Sequence, residues 1–244
     1  NMGDMHTPRW DIERDDVIVT MGSCFAQHIA NWLRTQGFNV PFYDTDEGIK
    51  SRNFSANYGN VYTTRQALQL AQEASGQRAT DAICWDVEGG YIDAIRPNVF
   101  ARPFSTTADV NAARAAHLQA VLTAFQDMDV LVFTLGLTET WQLRDSGTIV
   151  PSAPGVIGGQ FDDAQHEFLN FSYPEVMQDL NAFCEILSGI RGGKPFRLLL
   201  TVSPVPLTAT AETRHILQSS TYSKAVLRAV AGDFCKVNEF GNFA

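Results

Sequence analysis

Apolar residues along the chain fall into two alternating patterns. Short unbroken runs occur at 17–21 (VIVTM), within DVLVFTLG at 129–136 and within FRLLLTVSP at 196–204. Runs this short, closed by a glycine or proline, read as strands buried on both faces. Between them, apolar residues recur three or four positions apart, the spacing of a helix with one buried face. Phe25, Ile29, Trp32 and Leu33 mark the first such helix, with Gly37 at its C′ position. Thr63 or Thr64 caps a second, running to about Ser75. A third starts at Asp109 and carries Val110, Ala113, Leu118, Val121, Leu122 and Phe125. Ser172-x-x-Glu175, with Pro174 in the first turn, is a capping box that opens a fourth helix to about Leu187. STYSKAVLRAVAGDF forms the last, and CKV at 235–237 is expected to begin a further strand.

The remaining stretches lack either period. Residues 38–59 are rich in Asn, Asp, Gly and aromatics and read as a long functional loop. Over 76–107 only a small hairpin around Gly89-Gly90 is expected, separating AICWDV from YIDAI. Helical and buried-strand segments that alternate in this way predict one α/β domain over 1–244, with a mostly parallel, doubly wound sheet covered on both faces. In such sheets ligands bind beyond the carboxyl ends of the strands. That rule singles out Gly22-Ser23-Cys24, Gly136-Leu137-Thr138-Glu139 and Ser203-Pro204-Val205-Pro206.

Composition narrows the function. The net charge of −9, from 27 acidic and 18 basic residues, argues against nucleic acid as a partner. The cysteines at 24, 84, 184 and 235 show no CxxC or Cys/His spacing, so neither a zinc site nor a disulfide framework is expected. Scattered thiols fit a reducing compartment, and the N-terminus carries no apolar signal segment. No stretch approaches the ~18 apolar residues of a membrane span. The default location is cytoplasmic. Neither GxGxxG nor a Walker pattern is present, so no cofactor is expected.

The chemistry concentrates at VIVTMGSCFAQH, residues 17–28. Ser23 and Cys24 sit where a buried strand turns into a helix, and His28 follows Cys24 by one helical turn. Unpaired N–H groups and the positive end of the helix dipole at such a turn favour a thiolate and a developing oxyanion. A plain structural reading also exists, with Ser23 as the N-cap and Cys24 as a small buried hydrophobe.

GSCFA at 22–26 is the signature of the GSCFA family, and TLGLTETW at 134–141, TVSPVPLTAT at 201–210 and YSK at 222–224 resemble its other blocks. That family in turn resembles the SGNH, or GDSL-like, esterases and acyltransferases, which implies a flavodoxin-like three-layer αβα sandwich. Laid on the Gly-Asp-Ser block of those enzymes, Cys24 takes the place of the attacking serine and Ser23 that of the aspartate. The resemblance further assigns the oxyanion hole to Gly59, with Asn57 and Asn60 beside it, and to Thr138, which stands in place of an asparagine. The Asp-x-x-His block that supplies the base is not found, and NEFGNFA holds no histidine. Either that block lies in a segment beyond position 244, or one of five histidines serves. Of these, His6 falls in a polar tail, His117 reads as structural, and His215 follows a polar stretch. His166 is preferred and His28 second.

Aromatic and charged residues complete the expectation. Glu139 is placed to orient the base or bind substrate, and Trp141, Trp85 and Tyr62 to stack on a sugar ring. Arg65, Arg96 and Arg144 are candidates for an anionic group. The expected reaction is acyl transfer or deacylation of an O-acyl ester, of a small molecule or a glycan precursor, through a Cys24 or Ser23 acyl-enzyme. The alternative is a non-catalytic relative that binds ligand.

Overall fold

The chain begins with β1 (Ile18–Gly22) and α1 (Ala26–Thr35), followed after a long irregular stretch by α2 (Thr64–Ala74). A hairpin of β2 (Cys84–Val87) and β3 (Gly90–Asp93) precedes α3 (Thr107–Asp127) and β4 (Val130–Leu135). Next come β5 (Glu139–Leu143), β6 (Ile149–Val150), β7 (His166–Asn170) and α4 (Tyr173–Ile190). The chain closes with β8 (Arg197–Val202), α5 (Ile216–Val237) and β9 (Gly241–Phe243). These elements come from a computed structural model that describes residues 7–46, 48–79 and 83–243. His6 and Ala82 lie outside the described residues.

The central sheet has the order β1-β4-β8-β9, and every neighbouring pair is parallel. Stepping in one direction through α3, α4 and α5 places those helices on one face, as the handedness of parallel crossovers requires. Alternate residues divide accordingly. Val19, Met21, Leu131, Phe133, Leu198 and Leu200 join the large core beneath α2–α5. Ile18, Val130 and Val132 face the other way, against Leu33 and Ile29 of α1 and the segment carrying Trp10 and Ile12. The molecule is thus a mixed α/β fold with a parallel sheet and helices against both faces.

Most local signals act as expected. Thr63 Oγ1 accepts the Gln66 N–H at 3.2 Å and caps α2. The box of Ser172 and Glu175 opens α4. Gly37 adopts φ +80° behind α1, and the β2–β3 turn falls on Glu88-Gly89. Other expectations are corrected. The third helix opens two residues before Asp109, because Thr106 is the cap and Asp109 the residue that reciprocates. Residues 235–237 do not start a strand but finish α5; the strand follows at β9, after the turn in which Gly241 N–H meets Asn238 O. Trp32 is 58% exposed, so the buried stripe of α1 is narrower than its apolar spacing suggests. Helix α1 also lacks a side-chain cap, so Ser23 does not act as one.

A second sheet, β6-β5-β7, is antiparallel and had no counterpart in the expected fold. It grows directly from the end of β4 and stands over the carboxyl end of the central sheet. Among the described residues no helix is long and apolar enough to cross a membrane.

Candidate functional site

The turn after β1 is shaped by two glycines. Gly22 has φ +134°, and a Cβ there would lie 2.3 Å from the Thr134 carbonyl oxygen, so only glycine lets this turn press on β4. Gly136, at the end of β4, is equally confined: a Cβ would meet Tyr62 O at 3.0 Å and Ser23 Cβ at 3.1 Å. Tyr62 O accepts both the Gly136 N–H (3.0 Å) and the Leu137 N–H (2.9 Å), and Val61 N–H donates to Gly22 O at 2.9 Å. The ends of β1 and β4 and the segment before α2 are thereby locked together.

This arrangement sets Cys24 half-buried in the turn before α1, facing a cleft of about 560 Å3. All three strand ends expected to matter line that cleft: Ser23 and Cys24, Gly136 with Leu137 and Glu139, and Ser203 with Val205 and Pro206. Trp141 and Phe168 of the second sheet form its far wall, with Val156 at the rim. Among the described residues neither the Cys24 nor the Phe25 N–H meets an acceptor, so both are available to an anion beside the thiol. Cys184, by contrast, lies in the core, where burial pushes its thiol up to about 12. Ser23 is 2% exposed, and its Oγ has no partner among the described residues.

Glu139 is held by Thr210, whose hydroxyl donates to Oε1 at 2.9 Å, and burial raises its carboxyl above the usual range. The loop that carries Thr210 is anchored in turn. Glu212 accepts from Asn170 Nδ2 (3.0 Å) and Ser219 Oγ (2.9 Å), and Leu207 N–H donates to Ser220 Oγ at 3.0 Å.

Several expected site residues are placed elsewhere. His166 is buried at the far end of β7, paired with Leu143, with Nδ1 close to the backbone of Asp162 and its ring stacked on Phe161. Four strand positions, roughly 13 Å, separate it from the Glu139 end of that sheet. His28 is exposed on α1 and tilts against Phe25. His215 caps α5, where its Nδ1 accepts the Leu217 N–H. His117 is fully buried and bound to Asp44. None of these four histidines lines the cleft. Thr138 donates its hydroxyl to Asn170 Oδ1 at 2.6 Å and its N–H to Ser223 Oγ at 3.0 Å, so neither group is directed at an oxyanion.

Asn57, Gly59 and Asn60 line a neighbouring cleft of about 210 Å3, which shares Tyr62, Pro151 and Ser152 with the first. Asn60 Nδ2 donates to the Tyr62 hydroxyl at 2.9 Å, and the residue lines this smaller cleft rather than the one that holds Cys24. Asn57 is buried, and its Nδ2 has no partner among the described residues. Trp85 packs in a small core with Ala94 and Val150 rather than on a ligand surface. The three arginines are engaged within the chain: Arg65 with Asp179, Arg96 with Asp93 and Asp44, and Arg144 with Glu167.

Next to the cleft, in a shallow depression shared with Pro204, Pro206 and Ser220 rather than in its lining, lies a functional group that the sequence reading missed. Lys224 of α5 donates from Nζ to Gly136 O at 2.7 Å, behind the Ser23-Cys24 turn. Burial lowers its ammonium to about 8, opposed by the charge of Cys24. Tyr62 also feels Cys24, which adds to the effect of burial in raising its phenol. The YSK triplet was the available signal. Among the described residues no three His, Cys, Asp or Glu side chains come together as a metal site.

No curated protein and no solved structure matches the chain significantly. A protein-family model does match, that of the GSCFA family, over residues 17–243, and the chain belongs to that family.

Proposed function

We propose that the chain is an acyl esterase or acyltransferase that works through a Cys24 acyl-enzyme on an SGNH-like αβα fold. The observation that carries this reading is the meeting of Cys24, two unengaged N–H groups and a largely apolar cleft at the carboxyl ends of β1, β4 and β8. The Cys24 sulfur attacks the acyl carbonyl, and the resulting oxyanion lies against the Cys24 and Phe25 N–H groups. Collapse breaks the bond to the leaving oxygen, which departs with a proton. Water, or an acceptor hydroxyl, then releases the acyl group.

Leu137, Trp141, Phe168 and Val205 suit an acyl chain or the apolar face of a sugar. The smaller cleft beyond Tyr62, with the unpartnered Asn57 amide, suits a hydroxyl-rich group, which favours an O-acylated carbohydrate or glycan precursor.

The reading is tested with p-nitrophenyl acetate. Intact mass is expected to rise by one acetyl group, located on the tryptic peptide 15–34, and Cys24→Ala removes it while Ser23→Ala does not. A second reading, a ligand-binding relative without turnover, is favoured by the distance of the histidines from the cleft. Unchanged mass in the wild-type chain, together with saturable ester binding, supports that alternative.

A further inference from the structure

A half-buried ammonium normally meets a carboxylate, because an uncompensated charge is costly to bury. Lys224 is an exception. Among the described residues it pairs with no carboxylate, and its one hydrogen bond is to a neutral carbonyl, Gly136 O. The carbonyl belongs to the residue whose Cα presses on Ser23 and Tyr62, so the ammonium is fixed behind the turn that presents Cys24. α5 is registered there by a second contact one residue earlier, Ser223 Oγ to the Thr138 N–H. Apart from burial, the one group that bears on the Lys224 ammonium is Cys24, on the other side of Gly136 and Ser23.

We infer that Lys224 is the proton acceptor for the Cys24 thiol, a role that rests on Cys24 being the nucleophile. The proton passes from Sγ to Nζ, directly or through one water, as the new S–C bond forms. When the tetrahedral adduct collapses and the C–O bond breaks, the same proton passes from Nζ to the leaving oxygen. The lysine ends neutral, ready to activate the water or hydroxyl that releases the acyl group. An amine lowered to about 8 is suited to give and take a proton near neutrality.

Few other ionisable groups face this pair. Glu139 of β5 lines the same cleft as Cys24, on its opposite side, with its carboxyl raised by burial and bonded to Thr210. Tyr62 approaches from the segment before α2, and its phenol is raised rather than lowered. The 203–207 loop beside Lys224 contributes none. On α5 the nearest in sequence are Tyr222 and Arg228, and His28 is exposed on α1.

The test uses the full chain and two readouts: acylation by p-nitrophenyl acetate, and alkylation of Cys24 by iodoacetamide across pH 6–10. Lys224→Met is expected to slow acylation at pH 8 by about 10²-fold or more, and to slow alkylation as well. Lys224→Arg keeps a cation and the contact to Gly136 O but cannot accept a proton. It is expected to restore alkylation towards the wild-type rate and leave acylation low, without the wild-type inflection near pH 8. Thermal melts check folding, and where Lys224→Met unfolds, Lys224→Arg decides. Wild-type acylation rates and an unchanged pH profile in either variant overturn the inference. A wild-type chain that resists acylation overturns acyl transfer; the proton transfer then stands only where the wild-type alkylation profile has an inflection near pH 8 that Lys224→Arg loses, and falls where Lys224→Arg keeps it.

Discussion

The Thr134 carbonyl accepts the Ser23 N–H at 3.1 Å and stands 2.3 Å from where a Cβ on Gly22 would sit. One backbone oxygen therefore both fixes the Ser23-Cys24 turn and excludes every side chain from the residue before it. Gly22→Ala meets a backbone clash and a strained φ together. It is expected to destabilise the fold by about 3 kcal/mol or more, read from a urea melt, and to abolish labelling of Cys24 in the molecules that remain folded.

Thr138 separates a structural hydroxyl from a catalytic one. Its O–H is bonded to Asn170 Oδ1. Thr138→Val should lower stability by about 1–2 kcal/mol, since it leaves that amide oxygen without its donor. The acylation rate of Cys24 should change only a few-fold, against the ~10²–10³ lost when an oxyanion donor is removed. Burst kinetics with p-nitrophenyl acetate distinguish the two.

His117 gives the chain an acid-sensitive point. It is fully buried against Asp44 at 2.8 Å, and burial, with the nearby Arg96 charge, lowers it to about 4. The unfolded chain takes up this proton near pH 6.5 and the folded chain only near pH 4. Stability is therefore full above pH 6.5 and falls as pH drops towards 4, by about 3 kcal/mol from this group. Asp44 is itself held below the usual carboxylate range by His117 and Arg96, despite burial, and adds to the loss below about pH 4. Thermal melts from pH 7.5 to 4 should show the decline, and His117→Asn, which keeps a donor towards Asp44, should flatten its upper part.

Arg114 holds two buried carboxylates, Glu73 and Asp93, between α3, α2 and the β2–β3 hairpin. Removing the cation leaves both carboxylates with less compensation in the interior. Arg114→Leu is expected to destabilise by about 3–5 kcal/mol, measured by chemical denaturation. Arg78, the more exposed cation 4.0 Å from Glu73, should matter far less when replaced by Ala.

The parts of the fold written in local pattern were legible in the sequence. The three strands, the caps at Thr63 and Ser172 and the hairpin at Glu88-Gly89 depend on neighbours only a few residues away, although the third strand, β8, is buried on one face rather than on both as its apolar run suggested. The strand-end rule identified the cleft for the same reason. The second sheet was hidden because β5 follows β4 after only three residues and β6 has two, too short for a period of two to register. The partners of Arg65 and His117 were invisible for a different reason: Asp179 lies 114 positions from Arg65, and Asp44 lies 73 from His117. His166 was expected near the cleft because its loop follows the third block, but the β5–β7 register carries it to the opposite end. Lys224 lies on an amphipathic helix where a lysine ordinarily points to water, and only the tertiary contact with Gly136 shows otherwise.

That contact spans 88 positions and belongs to the last helix of the sheet's single-direction winding. During synthesis the Cys24 turn emerges early, but the cation behind it arrives only when α5 folds onto the completed β4–β8 pair. Until then the thiol stands on a half-built sheet with no amine at its back. On the role proposed for Lys224, activation of the thiol is coupled to the docking of α5, and iodoacetamide reactivity at Cys24 becomes a clock for that step in refolding.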